Sequence, residues 1–323
     1  MSADSGSWPA ATRPIDDGPA PAIVPGSAEI TGRRWGVLLD GGGLAVIAGI
    51  ALAIGVAYAV ANIVPVDTDM YWRAGLSSHY YGTVWAADAN SLYVYPPPLA
   101  QAIGLLAPIG WSAFVIGWTV FVFAGMWAST RRWSLLVFAA TAGAAILWGI
   151  DSGPAKPLLL AMIGNVQPLL AAAVVIGFRW PAAWAFVILT KIAPGIGLLW
   201  FAFRGEWRNL GIAMAATAII AAVSFVFAPQ QWADFVRFAM ANVGAPSPNP
   251  VVPIPLAVRI AMSVAMIAWG ARTNHRWIVP FAAGWASLAL YEWTWLTMLL
   301  AGLALVDWPP KLPGRATARP ATA

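Results

Sequence analysis

Residues 42–73 read GGLAVIAGIALAIGVAYAVANIVPVDTDMYWR. Positions 42–64 carry no charged side chain. At 1.5 Å per residue that run crosses roughly 30 Å of hydrocarbon as a helix. Directly after Pro65 the character reverses: Asp67, Asp69 and Arg73 crowd together with Tyr71 and Trp72. The stretch therefore reads as a membrane helix that delivers two carboxylates, a guanidinium and aromatic rings to the membrane face.

The rest of the chain agrees with a membrane setting. Of its 323 residues 60% are hydrophobic and 10% charged, with mean hydropathy +0.72. Soluble domains carry about 25% charged residues, so the composition points to an all-α integral membrane protein crossing the bilayer repeatedly. The 20 tryptophans fit, because indole rings gather at membrane interfaces. With no cysteine, thiol catalysis, disulfides and thiolate metal sites are excluded. His79 and His275 stand too far apart in sequence for a local metal motif. No metal or other cofactor is expected.

The net charge of +5 reports topology more than an acidic partner. Arg33 and Arg34 precede the first span, Arg204 and Arg208 follow another, Arg272 and Arg276 share a third turn, and Lys311, Arg315 and Arg319 lie in the tail. All are expected in the cytoplasm. No basic stripe on a soluble domain supports nucleic-acid binding.

Residues 1–40 are rich in Pro, Ala, Ser, Gly and Asp and lack apolar periodicity, so a disordered cytoplasmic tail is expected there. The start lacks the basic segment and short apolar core of a signal peptide, so the first span is expected to remain as an anchor. A transmembrane domain follows over 41–308, and 309–323 reads as a second disordered cytoplasmic tail. Residues 67–95 form an expected outward loop with room for short interfacial helices. Further helices are expected over 98–108, 111–130, 133–149, 210–227, 256–270, 278–290 and 293–306, with a second outward loop over 230–253. Residues 157–203 are apolar but broken at Gly164-Asn165-Val166-Gln167-Pro168 and at Lys191-Ile192-Ala193-Pro194-Gly195. The sum is about ten membrane segments, several too short to span alone. Non-helical backbone at membrane depth must line a cavity or be covered by protein, so the breaks imply a hollow inside the bundle. This order places Arg131-Arg132 outside, which conflicts with the positive-inside bias unless a neighbouring segment is re-entrant.

Several polar residues invite a functional reading. Asp67 and Asp69 have three readings: polar caps at the interface, a metal-chelating pair, or a general base within reach of a hydroxyl. Lys191 lies in an apolar run, where a lysine costs roughly 2.5–3.5 kcal/mol at the bilayer centre. It either holds a phosphate or snorkels to the interface. Asn165 and Gln167 offer amides suited to sugar hydroxyls or to helix–helix hydrogen bonds. Tyr93 and Tyr95, before Pro96-Pro97-Pro98, make a rigid aromatic platform or an interfacial belt. Glu292, between Tyr291 and Trp293, is a second candidate acid. Asp151 and Lys156 are expected to pair within a loop.

In order, these residues are Asp67-Thr68-Asp69-Met70-Tyr71-Trp72-Arg73-Ala74, Tyr95-Pro96-Pro97, the Gly164 to Gln167 break, Lys191-Ile192-Ala193-Pro194 and Arg204-Gly205-Glu206-Trp207-Arg208. The series resembles glycosyltransferase family 87, the polyprenyl-phosphate-mannose-dependent mannosyltransferases of the GT-C membrane fold. The likeness runs from about residue 67 to 208 and is poor beyond. It implies a metal-independent, inverting transferase facing outward from the cell membrane, with a polyprenyl-phosphate-linked sugar donor and a glycolipid or glycan acceptor. Asp67 matches the family's base better than Asp69, and Lys191 would face the leaving phosphate. Tyr71, Arg73, Tyr95, Asn165, Gln167 and Glu292 are the remaining candidates for substrate contact. The chain departs from the family pattern in the exchanged amides of Gly164-Asn165-Val166-Gln167, in Tyr291-Glu292-Trp293 where a Trp-x-His stretch is expected, and in its shortness. The competing classes are a transporter or flippase, which also uses intramembrane charge and broken helices, and a non-catalytic lipid-binding relative. No internal repeat favours the transporter.

Overall fold

A computed structural model describes residues 27–83, 92–242, 254–287 and 295–306, with side chains of the first helix described from Asp40 onward. Residues 1–26 of the expected tail over 1–40, the whole expected tail over 309–323 and Glu292 lie outside the described residues.

The described chain is helical throughout. Helix α1 (Ser27–Ala61) starts inside the stretch whose composition reads as a tail. Pro65 ends the linker after it, and α2 (Val66–Leu76) carries the acidic cluster. Next come α3 (Pro97–Gly104), α4 (Trp111–Thr130) and α5 (Ser134–Trp148). The broken region resolves into α6 (Lys156–Met162), α7 (Gln167–Gly177), α8 (Trp184–Thr190) and α9 (Leu199–Phe203). Helix α10 (Trp207–Phe227) and α11 (Pro229–Asn242) follow, then α12 (Leu256–Thr273), α13 (Ile278–Trp285), α14 (Leu296–Leu300) and α15 (Gly302–Leu305).

The expected count of about ten membrane segments is too high. Among the described residues four helices are long and apolar enough to cross a membrane: Asp40–Ala61, Trp111–Trp148, Trp207–Phe227 and Leu256–Thr273. A fifth crossing arises if Gly153–Met162 and Gln167–Gly177, bent by 94°, act as one. The stretches 111–130 and 133–149, expected as two spans, form one apolar stretch of 38 residues with a 3-10 turn at Arg131–Trp133; it is longer than a bilayer is thick, and the 20 residues of α4 alone suffice to cross. The other apolar stretches, such as Pro97–Ile109, Pro181–Thr190, Ala193–Phe203 and Leu296–Leu305, are shorter. At 1.5 Å per residue each reaches at most about 20 Å, short of a bilayer when taken singly, although 166–178, 178–191 and 191–204 each carry the chain between the two ends of the bundle. The region 157–203 also breaks a third time, at residues 178–180, where Pro181 starts a new turn. The expected outward loop over 230–253 is helical up to Asn242, as α11. Its signal was the three-residue spacing of Trp232, Phe235 and Phe238, which places one aromatic stripe on one face.

The placement of Arg131-Arg132 is settled by α3. Helix α3 folds back on α2, and a Cβ on Gly75 would stand 2.8 Å from the Gly104 nitrogen, so the two backbones touch. With α3 packed there and too short to cross, α4 is the return from α1. Arg131 pairs with Asp40 at the start of the first span (3.0 Å), and the Trp127 indole donates to the Asp40 carbonyl (2.9 Å). The arginine pair therefore lies at the end of the bundle from which α1 sets out.

Other arginines gather at the same end. Helices α4 and α7 run parallel: Trp118 Nε1 donates to the Gly164 carbonyl (2.8 Å), and one turn or two further on Gly125 faces Leu169. That brings Phe178, just past α7, to the arginine end, where Arg276 covers its ring at 5.7 Å. Arg204 donates to the Ala271 carbonyl beside it (3.0 Å), and Arg132 to the Val306 carbonyl (3.1 Å). His275 lies in the same turn as Arg272 and stacks on Trp269. The breaks at residues 163–166 and 191–192 lie at the opposite end, beside α2.

Candidate functional site

Helix α2 sorts its polar residues by period. Residues four apart share a face, and residues two apart do not. Asp67 and Tyr71 look towards the break before α7, whereas Asp69 and Arg73 form a pair on another face. Both Asp69 oxygens accept from Arg73 Nε, at 2.8 and 2.9 Å. The Asp-x-Asp sequence thus does not act as one chelating pair, since its two carboxylates diverge. Among the described residues no group of three or more histidine and carboxylate side chains gathers as a metal site would need.

Asp67 is held from two directions. Its backbone N–H and that of Thr68 donate to the Ile163 carbonyl (3.2 Å each), which docks the first turn of α2 on the end of α6. These donors have no partner within their own helix, so the neighbouring carbonyl satisfies them. The Asp67 carboxylate accepts from the Asn165 amide nitrogen at 2.7 Å. Asn165 in turn accepts, through its amide oxygen, the backbone N–H of Gln167 at 2.9 Å. An asparagine bonding backbone two residues on is a turn former. Here it opens α7 and, by fixing the oxygen, aims the nitrogen at Asp67. The order Gly-Asn-x-Gln thus has a structural reason.

Gly164 makes that turn. Its φ is +81°, and a Cβ would run into the Thr68 hydroxyl and Trp118. Both the conformation and the space exclude a side chain.

Tyr71 and Tyr95 complete the wall. Their hydroxyls lie 3.2 Å apart, Tyr71 OH accepts from the Val166 N–H at 3.4 Å, and the rings meet edge to face at 5.6 Å. Lys191 ends α8 in extended conformation, and its ammonium sits 5.9 Å from the Tyr95 ring centre. The second break thereby delivers its lysine to the group assembled by the first. Burial pushes the Asp67 carboxyl above its ordinary range, while the Asn165 hydrogen bond and the Lys191 charge pull it back. Asp67, Asn165 and Lys191 keep part of their surface open, whereas Tyr71, Tyr95 and Gln167 are buried.

The structure therefore joins Asp67, Tyr71, Tyr95, Asn165 and Lys191. It parts them from Asp69 and Arg73. Gln167 is buried and contributes its backbone N–H to the Asn165 turn. Each end of the Asn165 amide has one protein partner, the Asp67 carboxylate at its nitrogen and the Gln167 N–H at its oxygen, which leaves one N–H and one lone pair over. Glu292 lies outside the described residues. Asp151 pairs with Lys156 (3.3 Å) as expected, although Lys156 is buried at the start of α6 rather than in a loop.

Sequence reasoning missed Thr68, Trp118 and the Ile163 carbonyl, all of which hold the break in place. Nothing local in the sequence signals a tertiary carbonyl contact. Two cavities also lie on the surface. One of about 590 Å³ is lined by apolar residues including Val137, Pro157, Leu296 and Leu300, and one of about 370 Å³ lies between residues 79–82 and α11.

Comparison of the chain with protein-family models, with characterised proteins and with solved structures yields no match.

Proposed function

We propose that this protein is a membrane glycosyltransferase with a GT-C-like helical bundle. It moves a sugar, mannose in the first instance, from a polyprenyl phosphate carrier to a glycan or glycolipid at the outer face of the cell membrane. The observation that carries the reading is the Asp67 carboxylate, fixed by Asn165 at 2.7 Å and accompanied by Lys191 and Tyr95 at the end opposite the arginines. The order of these residues along the chain, which resembles family 87, supports the same reading.

In this scheme the acceptor hydroxyl gives its proton to Asp67 as its oxygen bonds to the anomeric carbon. The bond from that carbon to the carrier phosphate breaks, and its electron pair leaves with the phosphate. Lys191 faces the developing negative charge. Attack opposite the leaving group inverts the anomeric centre. Asn165 acts on the base alone, orienting the carboxylate through the turn it forms. Asp69 pairs with Arg73 on another face of α2.

The deciding experiment uses purified protein in lipid, radiolabelled polyprenyl-phosphate-mannose and a mixture of envelope glycolipids, with EDTA present. The expected result is transfer by the wild type and by Asp69→Asn, and its loss in Asp67→Asn. A wild type that binds donor and transfers nothing, to any acceptor in the mixture, would sink the proposal.

A further inference from the structure

The 370 Å³ cleft between residues 79–82 and α11 has no part in the chemistry just described. Its size falls within the roughly 300–1,000 Å³ of small-molecule sites. Tyr81 and Phe238 form one wall, their rings stacked at 5.5 Å and 29°. Tyr81 is itself fixed, because its hydroxyl donates to the Tyr95 carbonyl at 2.7 Å. Asp234 forms the floor. It pairs with Arg237, accepts from Gln230 (3.0 Å) and lies 3.9 Å from His79 Nδ1. The side chains of Arg237 and His79 are 71% and 77% exposed, so their remaining N–H groups face solvent.

That mixture selects for one kind of ligand. A phosphate would meet the Asp234 carboxylate, and an Arg237 already paired with Asp234 adds little net positive charge. An acyl chain would leave Arg237, Asp234 and His79 without use. A pyranose presents C–H faces to aromatic rings and, at its rim, hydroxyls that both donate and accept. It can lie against the parts of the Tyr81 and Phe238 rings that their mutual stacking leaves open, with Asp234 as acceptor and Arg237 and His79 as donors.

Between the cleft and the Asp67 group lies a short run of buried rings in contact. Tyr80 meets Tyr93 at 4.9 Å, Tyr93 meets Tyr95 at 5.5 Å, and Tyr95 lies under Lys191. We propose that this cleft is a subsite for a neutral oligosaccharide and holds the part of the acceptor glycan remote from the reacting hydroxyl. Its place in a reaction rests on the transfer reading above; its affinity for sugar does not.

The test separates the two. Protein in lipid nanodiscs is titrated with soluble neutral manno-, gluco- and galacto-oligosaccharides of two to four sugars, followed by saturation-transfer NMR, with inorganic phosphate as competitor. At least one series is expected to bind saturably, with affinity reduced about tenfold by Arg237→Ala, the typical worth of a hydrogen bond to a charged group. Asp67→Asn is expected to leave binding unchanged and phosphate to compete poorly. Arg237 is exposed on a helix surface, so this variant keeps its fold; Asp234→Asn serves as the second. Oligosaccharide binding without transfer would uphold the subsite and sink the reaction. The subsite is overturned by no binding in any series, by binding indifferent to both variants, or by displacement with phosphate. Transfer with an acceptor KM that Arg237→Ala does not raise also overturns it, while leaving the reaction standing.

Discussion

In the proposed reaction Asp67 meets two demands that oppose each other. A base must be ionised, yet burial favours its neutral form and raises its pKa. Asn165 and Lys191 offset part of that rise. The folded carboxyl is raised, so its ionisation opposes folding at pH values above the folded pKa and the opposition fades as pH falls. Asp67→Asn is therefore expected to abolish transfer, by roughly 10²–10⁴-fold, while leaving Tm at neutral pH unchanged or higher. A fall in Tm with partial activity would mark Asp67 as a structural residue. The same balance gives a pH prediction. Transfer is lost as pH falls through the Asp67 pKa. Asn165→Leu removes a hydrogen bond that lowers it, so the acid limb of kcat/KM moves to higher pH. Lys191→Met moves the limb in the same direction and, unlike Asn165→Leu, is expected to weaken donor binding. Static acid limbs in both variants would show that Asp67 is not the group titrating.

Elements are decided by what the side chains permit at close approach. The α2–α3 contact exists because Gly75 and Gly104 bring backbones together, as small residues do between membrane helices. Gly104→Val is expected to pry α3 from α2 and lower stability by about 2 kcal/mol or more, read as a drop in Tm in lipid. Gly164→Ala acts on another link. It forces a side chain into a left-handed turn and against Thr68, with an expected loss of about 1–2 kcal/mol from the backbone alone. Because the Asn165 turn starts at that residue, activity should fall further than Tm does. Equal stability and activity in Gly164→Ala would mean that the break tolerates a different backbone path.

At the scale of the molecule, the arginines and the Asp67 group stand at opposite ends of one bundle. The chain has no cysteine, so single cysteines report sidedness without background. Arg131→Cys and Arg272→Cys are expected to react with a membrane-impermeant maleimide only in inside-out vesicles, and His79→Cys only in right-side-out ones. Labelling of Arg131→Cys and His79→Cys from the same side would refute this topology and the return of α4 alongside α1.

Membrane residence and all-helical architecture were legible in residues 42–64 and in the composition, because lipid leaves a single apolar segment no way to satisfy its backbone except as a helix. Candidate residues were legible too: Asp67 and Lys191 are conspicuous as charges bordering apolar runs. Hydropathy overcounted the crossings because it registers apolar length and not the bends that divide it, as at residues 178–180. It also left open which of Asp67 and Asp69 faces the breaks, which groups Asn165 meets, and which end of the bundle holds Arg131. Those answers depend on contacts between residues far apart in the chain: Asp67 with Asn165, Gly75 with Gly104, Arg131 with Asp40. A local pattern records what each segment can bury. Only the packed bundle decides which partner meets each polar group left over.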